Sequence, residues 1–140
     1  MAEEMVTYDM LEGPAKDWAD VQEIHIRVET TKLFCFVLAG LISPLIMQML
    51  RLESQDPSLW FQRSGSIMVV LALLAELRVL TIDRLIVARD HSFLYCHMYI
   101  EQKYLIRLKV ISYVPYVVVA LGTVIWGYGD LVYAAIFSEQ

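Results

Sequence analysis

VISYVPYVVVALGTVIWGYG, residues 110–129, is a run of twenty residues without a charge. At 1.5 Å of rise per residue it makes a helix of about 30 Å, the thickness of a bilayer's hydrocarbon core. Arg107 and Lys109 stand immediately before it, and no lysine or arginine follows it. The run reads as a membrane crossing, and its flanking charges give it a direction.

The rest of the chain agrees with that class. Its 140 residues are 58% hydrophobic and have a mean hydropathy of +0.53, too apolar for a soluble domain of this size. Leu33–Leu50 is a second long apolar run, interrupted only by Ser43, Pro44 and Gln48, and Pro44 predicts a kink there. Residues 51–63 (RLESQDPSLWFQR) read as a polar connector, with Pro57 as breaker and Trp60 and Phe61 as interfacial anchors. Ser64–Ala75 is uncharged for only twelve residues, too few to span alone. A middle crossing must therefore carry Glu76 and Arg78 at or below the inner membrane boundary. Helical patterning continues through Ile106, as one long helix or as two with a short break near Asp90-His91. The glycines around Tyr128 predict that the last helix ends at a membrane face, capped by glycine.

The expectation is an all-α integral membrane protein with about three crossings and a long charged cytoplasmic helix over residues 76–109. Residues 33–137 form its helical membrane domain and residues 1–32 an acidic cytoplasmic segment. That segment holds eight acids against Lys16, Arg27 and Lys32, whereas residues 33–140 hold eight of each sign, so the net charge of −5 is an N-terminal feature. Within it Asp17 is the expected N-cap of an amphipathic helix marked by Trp18, Val21 and Val28. Met1–Met10 has neither a basic n-region nor an apolar h-region, so no cleavable signal peptide is expected. Lys103, Arg107 and Lys109 place the start of the final crossing in the cytoplasm. Counting back through three crossings places the N-terminus there too, with the C-terminus outside an inner (plasma) membrane.

The candidate site residues lie in the charged segment. On one continuous helix, at about 100° per residue, Glu76, Asp83, Asp90 and Glu101 share one face. Arg78, Arg89, Lys103 and Arg107 share the opposite one. The acidic stripe is a candidate pore or subunit contact. The basic stripe is a candidate binding surface for a nucleotide or oligonucleotide, with Tyr95, Tyr99 and Tyr104 available for stacking. A solvated helix face with intrachain ion pairs accounts for the same pattern. Glu76 and Arg78 are two residues apart and do not face each other, so each needs its own partner, most simply on another subunit.

Thr123-Val124 and Gly127-Tyr128-Gly129-Asp130 resemble a potassium-filter signature but are separated by Ile125-Trp126, which breaks the required spacing. Cys96 and His97 point apart on a helix, and His91 is six residues from His97, so no metal centre is expected. No nucleophile elbow, P-loop, HExxH motif or dinucleotide fingerprint occurs, so neither an enzyme nor a cofactor is expected.

In the order of its segments the chain is similar to compact membrane effectors of bacterial anti-phage operons, in particular the HalB-type subunits of Hailong systems. The similarity runs over the acidic lead, Trp60-Phe61-Gln62-Arg63-Ser64-Gly65, the charged helix, and Gly122 followed by Trp126-Gly127-Tyr128-Gly129-Asp130. It implies a homotetramer whose channel-like core is held shut by a DNA oligomer from a partner nucleotidyltransferase, and which depolarises the membrane on release. It is one of layout, and no family binding residue carries over. A non-conducting membrane immunity or accessory protein, docking through its acidic N-terminal helix, is the alternative.

Overall fold

The computed structural model describes residues 6–50, 56–87 and 94–137. Three long helices account for nearly all of them: α1 (Pro14–Met49), α2 (Pro57–Val87) and α3 (Leu94–Phe137), preceded by a 3-10 turn at Tyr8–Met10. No strand occurs among the described residues. All three helices are long and apolar enough to cross a membrane.

Each start has a local cause. α1 begins at Pro14, whose fixed φ suits the first helical position. Gly13 precedes it at φ +45°, a backbone conformation that side chains with a Cβ resist. Asp17 is therefore not the cap the sequence suggested. It sits in the first turn, where a carboxylate still favours the helix dipole. Asp56 caps α2: its Oδ1 accepts from the backbone N–H and the hydroxyl of Ser58, both at 2.9 Å. Pro57, read from sequence as a breaker, is instead the first residue of α2. Trp60 and Phe61 consequently lie inside the helix rather than in a connector, and Phe61 meets the ring of Tyr133 at 5.9 Å.

Pro44 lies inside α1 and removes the N–H that would bond the Gly40 carbonyl. The Ser43 hydroxyl donates to that same carbonyl at 2.7 Å, so the apolar segment contains no orphaned acceptor there.

α2 is the central helix. Its buried residues Gly65, Met68, Ala72, Ala75, Val79, Ile82 and Ile86 follow alternating steps of three and four, a seam facing both neighbours. The seam changes in size along its length, from Gly65 and the alanines to Val79, Ile82 and Ile86. At the small end α2 and α3 are nearly in backbone contact. A Cβ on Gly65 would lie 2.5 Å from the Gly122 carbonyl oxygen and 2.5 Å from the Trp126 nitrogen. One on Gly129 would lie 2.8 Å from Gln62 Cα. At the large end Leu33, Ile26, Ile100 and Leu108 complete the core, and α1 meets α3 through their N-terminal segments.

Two further expectations change. The charged segment 76–109 is not one helix: α2 ends at Val87 and α3 begins at Leu94, the broken alternative. Arg89 and Asp90 fall outside the described residues. At the other end the helix is interrupted at Tyr128 (φ −132°, ψ 17°) but resumes and runs to Phe137. Neither Gly127 nor Gly129 has a positive φ, so the glycine cap is absent. The glycines there serve close approach or open space instead.

Candidate functional site

The charges gather toward the end of the bundle that holds the N-termini of α1 and α3 and the C-terminus of α2. Glu76 and Arg78 lie nearest the middle. The Tyr116 hydroxyl donates to Glu76 Oε1 at 2.6 Å. Arg78 Nη1 reaches Glu29 Oε2 at 3.4 Å, and its guanidinium lies 5.9 Å from the centre of the Phe36 ring. The two residues do have separate partners, as their spacing requires, and both partners belong to the same chain. The pairing is incomplete: Glu76 Oε2 and Arg78 Nε are buried and have no hydrogen-bond partner among the described residues. A polar atom so placed is costly unless something completes it.

Farther toward that end Lys103 reaches across from α3 to Glu23 of α1, with the Tyr99 hydroxyl accepting from the same ammonium at 2.8 Å. This pair lies clear of the apolar runs, seven residues before Val110 and ten before Leu33. Burial resists the charge on Glu23, yet the Lys103 ammonium holds its carboxyl below the ordinary range. Burial likewise resists the charge on Lys103, and its bonds to Glu23 and Tyr99 nonetheless push it up to about 12. A depressed carboxylate contributes stability above its unfolded pKa and loses it as pH falls through the folded value. The raised lysine contributes fully below its unfolded value of 10.5 and loses that contribution as pH rises from there through about 12. The pair thus adds to the α1–α3 contact across neutral pH and loses that contribution in acid. Glu23→Gln should flatten the acid limb of a melting-temperature profile in detergent. Its cost at neutral pH should stay at about 1 kcal/mol or less, because the lysine is partly exposed.

Between these two pairs lies a cavity of about 540 Å³ among all three helices. Arg27, Lys103 and Arg107 are its cations; Ile26, Ile82, Ile86 and Leu108 supply its apolar wall. Arg107 is exposed and makes no ion pair among the described residues. Among the described residues Arg27 has only a long contact to Glu23, 3.8 Å.

Of the predicted basic stripe, Lys103 and Arg107 therefore converge on one cavity. Arg78 is turned to Glu29 and Phe36 instead. Of the predicted acidic stripe, Glu76 and Asp83 stand on α2 and Glu101 on α3, and no bond joins them among the described residues. Tyr99 and Tyr104 lie beside Lys103, at 5.1 Å and 5.5 Å; Tyr95 is exposed. Sequence reasoning passed over Glu23, Arg27 and Glu29, the α1 side chains that meet these groups. Their signal was a set of ionisable residues in the three turns feeding the first crossing.

No protein-family model matches the chain, and no curated protein or solved structure matches it either.

Proposed function

We propose that this chain is the subunit of an oligomeric membrane channel or pore-forming effector. It depolarises a bacterial inner membrane, in keeping with anti-phage defence, and it is controlled at its charged end by an anionic ligand (a nucleotide or DNA oligomer) or a partner. Its N-terminus is cytoplasmic and its C-terminus outside. The observation that carries the reading is the unfinished pairing of Glu76 and Arg78 on the central helix. Each keeps one buried polar atom unpartnered among the described residues, and ionisable groups at such a depth serve ion paths or subunit contacts. The outward surface is consistent with assembly: only 22%, 33% and 22% of the most apolar stretches of α1, α2 and α3 is buried inside the chain. Lipid and further copies of the chain cover what remains.

Expression of the chain alone in bacterial cells should collapse the membrane potential, read with a potential-sensitive dye, and lower viability within the same interval. Unchanged potential at confirmed membrane expression would rule against a released pore. It would favour the second reading, a non-conducting immunity or accessory protein. That reading has its own support in the exposed acids Asp9, Glu12, Asp17 and Asp20 near the start of α1, which suit a basic protein partner.

A further inference from the structure

We propose that the cavity between Arg27 and Arg107 is a binding site for an anionic phospholipid, whose phosphate sits against the two guanidinium groups. Such a site requires membrane insertion of the chain and is independent of conduction.

Along α3 the cavity lining has a gradient of polarity. On α3 its lining runs from Lys103 through Arg107 to Leu108 and Ile111. Lys103 and Ile111 are eight positions apart, about 12 Å of helix, and Ile111 already belongs to the uncharged run that opens at Val110. α2 runs the other way and presents Ile86 and then Ile82 toward the same depth. On α3 the cations therefore lie toward the aqueous end and Leu108 and Ile111 toward the hydrocarbon, whereas on α1 Ile26 and Arg27 precede Thr30 and Thr31. An amphiphile held upright in a leaflet has that profile, and a headgroup layer several ångströms thick separates its phosphate from its first methylenes. Inorganic phosphate would use the cations and leave the aliphatic wall without a function.

The charges favour a single anion. Lys103 is already committed to Glu23 and Tyr99, so its contribution is mainly to hold the wall. Arg107 has no acidic partner among the described residues, and Arg27 has only the long contact to Glu23. Guanidinium groups match phosphate oxygens in pairs, and being weakly hydrated they give up water at low cost. The hydroxyls of Thr30 and Thr31 already donate to the carbonyls of Ile26 and Arg27, so they are not the donors. At about 540 Å³ the space falls in the ordinary range for a small-molecule site. It holds a glycerophosphate head with the first part of a chain. Basic pockets between membrane helices at this level recognise anionic headgroups by the same physics.

The test uses the full chain in nanodiscs containing phosphatidylcholine and phosphatidylglycerol, with lipids retained after detergent release identified by native mass spectrometry. Phosphatidylglycerol should be retained over phosphatidylcholine by roughly tenfold or more. The R27Q/R107Q double variant should lose that preference, whereas K109Q should keep it, since Lys109 is an exposed cation outside the cavity. Thermal unfolding in detergent establishes that the double variant is folded; should it melt early, R107Q alone carries the same comparison. Preference retained by the arginine variants, or absent from the unaltered chain, overturns the proposal. So does displacement of the lipid by inorganic phosphate or by a short single-stranded DNA oligomer, which would mark the cavity as a site for a soluble anion. A chain that binds the lipid but leaves membrane potential unchanged would defeat the channel reading alone.

Discussion

Gly65→Ala should destabilise the bundle by about 3 kcal/mol, measured by denaturant or thermal unfolding in detergent with helicity as the readout. The added Cβ would fall 2.5 Å from the Gly122 carbonyl oxygen and 2.5 Å from the Trp126 nitrogen. These are backbone atoms of a neighbouring helix, so no rotamer change relieves the overlap and α2 must move away from α3. In lipid, helices lack a hydrophobic driving force toward each other, so close packing at small residues carries the association. Lost contact there has no substitute. Gly127→Ala is the internal control: it sits on the same helix as Gly122, and its Cβ would meet nothing within 4 Å. That change should stay within about 0.5 kcal/mol of the unaltered chain. Equal stability for the two variants would mean that α2 and α3 do not touch at Gly65.

The helices were legible because length and hydropathy are properties of contiguous sequence. The run from Val110 to Gly129 and the apolar run from Leu33 announce themselves, and the inability of Ser64–Ala75 to span forced Glu76 and Arg78 into a crossing. The Gly65 contact was not legible for a definite reason. Its partners Gly122 and Trp126 lie on another helix, so searching one helix for paired small residues finds nothing. Caps were misread where two signals competed. Asp17 has the chemistry of an N-cap, but Pro14 upstream already satisfies the first turn of the helix. Tyr128-Gly129 has the composition of a terminus, yet Gly129 is held by packing against Gln62.

The charged segment shows the same limit. Stripes drawn on one helix place residues by rotation alone. Once the chain divides between Val87 and Leu94, positions on its two sides acquire unrelated faces. Lys103 and Arg107 still converge, since a separation of four keeps them on one face within α3. Arg78, on the other side of the division, goes to Glu29. The α1 contribution to the site was invisible without knowledge of which helix packs beside which.

Glu76→Leu should abolish depolarisation while leaving the protein folded and in the membrane, and the opposite signs of those effects make it decisive. In the single chain Glu76 is a poorly completed group. Tyr116 satisfies one oxygen at 2.6 Å, and the other is buried without a partner among the described residues. Glu76 is half-buried, and replacing an incompletely paired carboxylate of this kind by an aliphatic side chain is ordinarily neutral or stabilising. Insertion scales credit the loss of a charge at the bilayer centre with about 2.5–3.5 kcal/mol, an upper bound for a residue expected near the inner boundary. A structural role would thus predict no loss of any kind on substitution. A conducting role predicts a fall in dye-reported depolarisation to background, since the carboxylate is what an ion or a second subunit would meet. Tyr116→Phe separates the two further: it strips the remaining hydrogen bond, should cost about 1–3 kcal/mol, and should leave the carboxylate available to its outside partner. Full depolarisation by Glu76→Leu at normal membrane abundance would remove Glu76 from the ion path. Arg78→Leu would then be the remaining test of whether charge on α2 serves conduction at all, with Glu29 left to its 2.5 Å pair with Lys32.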